Sequence, residues 1–221
     1  MKDRSMVIVG AGSSTRFGSD KLMSDISGRP LISHTVLAVK SAVDICVLVA
    51  RADQIADLEA LSLGVDIVPG GATRTESETA GLAAIPPSRL IGIHDGARPA
   101  ISRVLIDRLF VAAAQHGGAL PGLAPRAALI ERDGLTPLTN AVAVQTPQVF
   151  WGPELKAAYL AATQSGFTGY DTADVVRNFT NLEVAIIPGD PQNIKVTHPE
   201  DLDQVRITLS PSAGGGSTSD R

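Results

Sequence analysis

The 221-residue chain holds one cysteine, and that scarcity is the first constraint on what it can be. With Cys46 alone, neither an intrachain disulfide nor a cysteine metal site can form. Cys46 falls inside the apolar run Ile45-Cys46-Val47-Leu48-Val49 and is expected in the core. Basic charge is also short, with 19 Lys and Arg against 23 Asp and Glu and a net charge of −4. A nucleic-acid or membrane-surface partner is therefore not expected, because both favour a basic face. No apolar run is long enough to cross a bilayer. Met1-Lys2-Asp3-Arg4 leads straight into a strand-like run with no sign of a signal peptide, so the expected compartment is the cytoplasm. No internal repeat is found.

What is present is an alternation. Met6–Val9, Ile45–Val49, Val65–Val68 and Leu90–His94 read as buried parallel strands. Between and after them, Leu31–Ala42, Asp53–Leu61, Thr75–Ala84 and Ser102–Gln115 have helical spacing, with Ser102 placed to cap the last. Hydrophobic residues make up 44% of the chain, enough for a sizeable core. The pattern implies an open α/β sheet whose ligands lie beyond the carboxyl ends of the strands. Near Pro125 it changes. Arg126–Ile130 and Pro137–Val144 flank the turn dipeptide Asp133-Gly134, which predicts a hairpin arm over about residues 125–145. Such an arm has little core of its own and calls for a partner surface, a second subunit. Regular α/β sequence returns with Pro153–Thr163, Thr172–Phe179, Leu182–Ile187 and Pro199–Leu209. The expected organisation is one domain over 1–209 and a Gly/Ser-rich disordered tail over 210–221.

Four segments lie where ligands are expected. Gly10-Ala11-Gly12-Ser13-Ser14-Thr15-Arg16-Phe17-Gly18 follows the first strand, and its small residues let backbone N–H groups approach a phosphate. It lacks the third glycine of a dinucleotide fingerprint and the Gly-Lys-Ser/Thr of a Walker loop. It offers instead Arg16 and, just beyond, Lys21, two cations suited to a triphosphate. Gly70-Gly71-Ala72-Thr73-Arg74-Thr75-Glu76-Ser77 opens a helix after the third strand and can line a nucleotide pocket. His94-Asp95-Gly96-Ala97-Arg98-Pro99 ends the fourth. Asp95 there can hold a magnesium ion or a ribose hydroxyl, Arg98 a phosphate, and His94 reads as a satisfied core histidine. Gln192-Asn193-Ile194-Lys195-Val196-Thr197 brings Lys195 to the same edge. Singly, these segments also fit a tight turn, a capped helix start, a surface ion pair and a solvated lysine.

Together they resemble the cytidylyltransferases of the methylerythritol phosphate pathway, in the same order and over about Met6–Leu209. The most specific stretches are Gln145-Thr146-Pro147-Gln148-Val149-Phe150 and Asn193-Ile194-Lys195-Val196-Thr197-His198-Pro199-Glu200-Asp201-Leu202. The resemblance implies a three-layer, Rossmann-like nucleotidyltransferase fold with a mostly parallel sheet, and a homodimer formed through a protruding β-hairpin arm. It implies transfer of CMP from CTP to a polyol phosphate with Mg²⁺. CTP would lie on Ala11, Gly12 and Ser13, with Arg16 and Lys21 on its phosphates. Gly71, Ala72 and Ser77 would read the cytosine, and Asp95 and Gly96 would meet ribose and metal. Lys195 would orient the attacking phosphate, and Arg98 and Thr146 would sit by the polyol phosphate. The sequence departs from the family pattern in four places. Asp20-Lys21 stands where a Pro-Lys pair is usual, a form shared with molybdopterin nucleotidyltransferases. Arg126-Ala127-Ala128-Leu129 replaces an Asp-Thr at the start of the arm. The place of an arm arginine falls near Leu138, with Arg126 and Arg132 as possible substitutes. An acidic motif survives only as Tyr170-Asp171-Thr172-Ala173-Asp174. The expected acceptor is 2-C-methyl-D-erythritol 4-phosphate, while another acceptor, such as ribitol 5-phosphate or molybdopterin, or a non-catalytic nucleotide-binding role stays open.

Overall fold

The computed structural model describes residues 2–12, 17, 20–132 and 134–210. In chain order its elements begin with β1 (Lys2–Val9), β2 (Asp25–Ile26), β3 (Arg29–Pro30), α1 (Leu31–Lys40) and β4 (Ile45–Ala50). They continue with α2 (Ile55–Ala60), β5 (Asp66–Pro69), α3 (Arg74–Ala84), β6 (Ser88–Asp95), α4 (Arg103–His116) and β7 (Gly117–Leu123). The last are β8 (Ala143–Val144), β9 (Gln148–Trp151), α5 (Gly152–Ser165), α6 (Thr172–Phe179), β10 (Glu183–Pro188) and α7 (Asp201–Leu209).

The main sheet has the order β10-β7-β9-β6-β1-β4-β5, with β8 added against β7, while β2 and β3 form a separate two-stranded ribbon. The pairs β1–β4, β1–β6, β4–β5 and β7–β10 are parallel; β9 runs antiparallel to both its neighbours. The expected mixed α/β sheet is thus present. Alternation along the strands feeds two cores. Met6, Ile8, Leu48 and Ala50 pack with α1, α4 and α7 on one face, and Val7, Val47, Val49, Ile91 and Ile93 with α3, α5 and α6 on the other. Each such aliphatic side chain contributes about 1.5–3 kcal/mol by leaving water. Cys46 is buried among them, and burial pushes its thiol up to about 12, as suits an inert core residue.

The strand order also fixes where a ligand can enter. From β1 the chain steps outward through β4 to β5, then crosses back past β1 to β6. Helix α3 accordingly packs on the face opposite α1. Loops at the carboxyl ends of β1 and β6 part there, at the switch point that opens a crevice in folds of this type. Backbone bonds tie the loop starts to the sheet: Gly10 N–H donates to Val49 at 2.7 Å, Gly70 to Ala50 at 2.8 Å and Gly96 to Val9 at 2.9 Å.

Two features differ in detail from the sequence pattern. The runs 126–130 and 137–144 face each other as the expected hairpin arm, but their pairing is sparse rather than continuous. Among the described residues its pairing is one bridge, Ile130 to Pro137, with Leu138 N–H donating to Leu129 at 2.8 Å and Glu131 N–H to Thr136 at 2.9 Å. Only its last residues, Ala143–Val144, join the main sheet. Pro137 cannot donate to a ladder, and among the described residues the arm's apolar side chains Leu129, Ile130, Leu135 and Leu138 are exposed, so the ribbon has little to hold it flat. Asp133, half of the predicted turn, lies outside the described residues, as do 211–221 of the predicted tail. The second feature is β7, a strand in the sheet interior where the sequence had suggested none. Its sequence Gly-Gly-Ala-Leu-Pro-Gly-Leu looks like a loop. The glycines serve close packing instead: a Cβ at Gly118 would stand 2.5 Å from the Phe150 ring.

Candidate active site

A cleft of about 340 Å³ opens at the β1/β6 switch point. Its walls include Gly10, Ala11 and Gly12 after β1, and Gly71, Ala72, Thr73, Arg74 and Ser77 at the start of α3. Asp95 and Ala97 after β6 contribute, and Lys21 and Lys195 face the same space. Of the residues singled out from sequence, Ala11, Gly12, Lys21, Gly71, Ala72, Ser77, Asp95 and Lys195 therefore meet around one opening. Ser13 and Arg16 lie outside the described residues. Gly96, Arg98 and Thr146 are not lining residues; they sit behind Asp95.

The wall at α3 is shaped by its cap. The Thr73 hydroxyl accepts from Glu76 N–H at 3.1 Å, and the Glu76 carboxylate accepts from Thr73 and Ala72 N–H at 3.2 and 2.7 Å. Ser77 donates to the Thr73 carbonyl at 2.9 Å and accepts from Gly71 N–H at 3.2 Å, pinning the glycine turn. Lys21 is set by its neighbour. Asp20 accepts from Leu22 N–H at 3.1 Å and from the Gln54 side chain, so it starts the one-turn 3-10 helix Lys21–Met23 and anchors it to the segment after β4. That is a physical reason for an aspartate at this position. Lys21 Nζ donates to the Val196 carbonyl at 3.1 Å, joining the first loop to the loop that carries Lys195.

Asp95 forms the floor. Its Oδ1 accepts from Arg74 Nη1 at 3.1 Å, and its Oδ2 lies 3.1 Å from both Arg98 Nε and Lys195 Nζ. Burial would raise its pKa, but Lys195, Arg74 and Arg98 outweigh burial and hold the carboxyl well below the usual range. It is an anion at any working pH. Arg98 is fixed further by the Asn193 carbonyl at 2.8 Å, and Asn193 Nδ2 donates to the Thr146 carbonyl at 2.8 Å.

Thr146 and His94 form the layer beneath. Thr146 Oγ1 accepts from Asp95 N–H at 3.0 Å and stands 3.1 Å from His94 Nδ1; His94 Nε2 faces the Arg98 carbonyl at 3.3 Å. A carbonyl can only accept, so the ring carries its proton on Nε2 and the threonine hydroxyl donates to Nδ1. His94 is fully buried, as expected of a core histidine, and burial lowers its pKa to about 4. The sign follows. Between about 6.5 and 4 the unfolded chain takes a proton that the folded ring refuses, so stability falls as pH falls through that window. The loss is on the order of 3 kcal/mol. His94→Gln should flatten that slope in denaturant titrations at pH 7 and pH 4.5; an unchanged slope would assign the acid loss elsewhere.

The model of the 2-C-methyl-D-erythritol 4-phosphate cytidylyltransferase (IspD) family matches residues 5–210. The chain belongs to that family. It is 35% identical over 219 residues to the 2-C-methyl-D-erythritol 4-phosphate cytidylyltransferase of Bacillus licheniformis, covering 89% of this chain and 91% of that one. It is 36% identical over 215 residues to the bifunctional IspD/IspF enzyme of Granulibacter bethesdensis; the match covers 92% of this chain but only 56% of that relative, about half its length. Among solved structures, the 4-diphosphocytidyl-2C-methyl-D-erythritol synthase of Anaerococcus prevotii superposes with a TM-score of 0.82 at 26% identity, over 95% and 97% of the two chains. IspD membership and that likeness bear out the Rossmann-like nucleotidyltransferase fold.

One lining residue of this IspD-family cleft escaped the sequence reading. Arg74 bridges Asp95 and the buried Glu78. The available signal was Glu78 itself, a charge three and four residues before Gly81 and Leu82 on the buried face of α3.

Proposed function

We propose that the chain transfers CMP from CTP to 2-C-methyl-D-erythritol 4-phosphate, releasing pyrophosphate, in isoprenoid precursor synthesis. The observation that carries this is one cleft, walled by two glycine turns, into which Lys21 and Lys195 both face above the Asp95 carboxylate. Gly12 and Ala11, with Ser13, would receive the triphosphate on backbone N–H groups. Arg16 and Lys21 would meet charge at the α-phosphorus and on the leaving group. Gly71, Ala72 and Ser77 would read the cytosine, with the ribose by Asp95 and Gly96. Lys195 would orient the acceptor phosphate. Arg98 and Thr146, assigned to the polyol phosphate on sequence grounds, stand one layer back, where they would act by holding Asp95 and its loop.

Among the described residues no cluster of three or more His, Cys, Asp or Glu side chains could hold a metal, and Asp95 is the one carboxylate in the cleft lining. That fits Mg²⁺, which is commonly held by one or two carboxylates together with substrate phosphates. Three contacts on Asp95 leave part of its accepting capacity free. The ion would supply charge neutralisation on the triphosphate. A phosphate oxygen is already nucleophilic near neutral pH, so the protein's part is alignment and charge stabilisation rather than proton removal.

The proposal includes a homodimer through the arm, supported by six apolar residues there, Leu129, Ile130, Leu135, Leu138, Val142 and Val144, that are 39–70% exposed. Arg126 and Arg132 are exposed on the same arm and could reach a partner's cleft in place of the arginine missing near Leu138. The proposed compartment is the cytoplasm, where CTP is at hand, and no nucleic-acid or membrane partner is invoked. The arm's departures favour one second reading, a different acceptor such as ribitol 5-phosphate. Pyrophosphate release decides between them, with CTP, GTP, ATP and UTP each offered methylerythritol phosphate, ribitol phosphate and related polyol phosphates. CTP with methylerythritol phosphate should give the highest kcat/KM. Preference for another nucleotide, or CTP binding without turnover on any polyol phosphate, would refute the proposal.

A further inference from the structure

Helix α3 carries a second carboxylate that the proposed reaction does not use. The Glu78 side chain is 1% exposed, enclosed by α3, α5 and α6. Its Oε1 lies 2.9 Å from Arg74 Nε, and its Oε2 accepts from the Tyr159 hydroxyl at 2.6 Å. The Thr172 hydroxyl donates to Oε1 at 3.4 Å. Arg74, 28% exposed, lines the cleft and gives Nη1 to Asp95. A continuous line of Tyr159, Glu78, Arg74 and Asp95 therefore runs from the core to the cleft floor.

An ion pair one helical turn apart contributes little on a surface. Here one partner is buried, and two hydroxyls converge on it from α5 and α6. A buried carboxylate is costly without such partners, so the arrangement selects one geometry. The guanidinium is a planar fork. Glu78 lies 2.9 Å from its Nε without an aligned N–H···O bond, so it holds the fork as a close opposite charge while Nη1 reaches Asp95. Without Glu78 the same side chain could swing into the cleft or pair with either oxygen of Asp95.

We propose that Glu78 is a positioning residue, which acts through Arg74 to fix the Asp95 carboxylate at the nucleotide end of the cleft. This rests on the reading of the cleft as a CTP site. Burial raises the pKa of Glu78, Asp95 adds to the rise, and Arg74 with the Tyr159 and Thr172 hydroxyls only partly opposes it.

The test is a double-mutant cycle on full-length protein, read as CTP affinity by calorimetry in Mg²⁺ and as kcat/KM by pyrophosphate release, with melting temperature as the control for folding. Glu78→Gln keeps the shape and removes the charge. It should weaken CTP binding and kcat/KM about tenfold, while on an Arg74→Ala background it should change either by less than twofold. Tyr159→Phe should move both readouts the same way by a smaller factor. A folded Glu78→Gln protein within twofold of the parent, or one that loses the same factor with and without Arg74, overturns the proposal. Should Glu78→Gln not fold, Arg74→Lys, which keeps the charge and loses the fork, should lose about tenfold, and retention within twofold overturns it. A parent that binds CTP without turnover refutes the acceptor reading and leaves the affinity cycle intact; a parent that does not bind CTP refutes both.

Discussion

Lys21→Ala lowers kcat about a hundredfold or more while the protein stays folded. The expectation follows from where charge changes. As the bond to pyrophosphate breaks, negative charge grows on the leaving group, and a fixed cation is worth more there than against ground-state CTP. A single well-placed donor at such a centre is worth about 3 kcal/mol, which corresponds to roughly two powers of ten in rate. Lys21 meets the requirement of being fixed. Its helical turn is started by Asp20, Asp20 is held by Gln54, and the ammonium is tied to the Val196 carbonyl. The loss should fall mainly on kcat, with a smaller rise in KM for CTP, because the interaction strengthens in the transition state. Steady-state pyrophosphate release on parent and variant, with melting temperatures in parallel, checks this. Near-normal kcat would remove Lys21 from the chemistry, and a rise in KM alone would reduce it to ground-state binding.

The residues that set this geometry were unequally visible in the sequence. Strands β1, β4 and β6 are apolar runs between glycine-rich loops, and their carboxyl ends follow from the alternation with α1, α2 and α3. The cleft was legible for that reason: each of its loops begins where a readable strand stops. Strand β7 was not legible, because three glycines and a proline remove both the β-branched signal and the alternation, and only the side chains packed against them, such as Phe150 at Gly118 and Val142 and Ile186 at Gly122, explain them. The arm was legible as a hairpin but not in its sparse pairing, since its conformation has no core to constrain it. Arg98 was marked and Arg74 was not, although both bind Asp95. The difference is context. Arg98 follows a strand directly, whereas Arg74 and Glu78 form a four-residue helical pair, a pattern usually met on solvated faces. Only the fold shows that Arg74 lines the cleft while Glu78 lies behind it, with Tyr159 and Thr172 closing over the carboxylate.

Asp95→Asn should destabilise the protein by roughly 3 kcal/mol at neutral pH and lower turnover by about a hundredfold or more. The two effects share one cause. The carboxylate gathers Arg74, Arg98 and Lys195, and an amide of the same shape leaves those cations facing one another. Removing one partner of a buried charge group usually costs roughly 3–5 kcal/mol. The low end applies because Lys195 is 36% exposed and can turn to water, and because Arg74 keeps Glu78. Arg98 has no such outlet; it is 10% exposed, with the Asn193 carbonyl as its other acceptor. The pH dependence separates this cause from a packing defect. The Asp95 pKa is lowered on folding from an ordinary 3.8, so its contribution is complete above that value and is lost as pH falls toward the depressed one. Parent and variant should therefore differ most near pH 7 and converge under acid, where a protonated aspartate and an asparagine are alike in charge. Denaturant unfolding from pH 7 down to pH 2 reads the gap, which should hold above about pH 4 and narrow below it. A gap that does not narrow below pH 4 would point to packing, and no gap at pH 7 would mean that the three cations do not depend on Asp95.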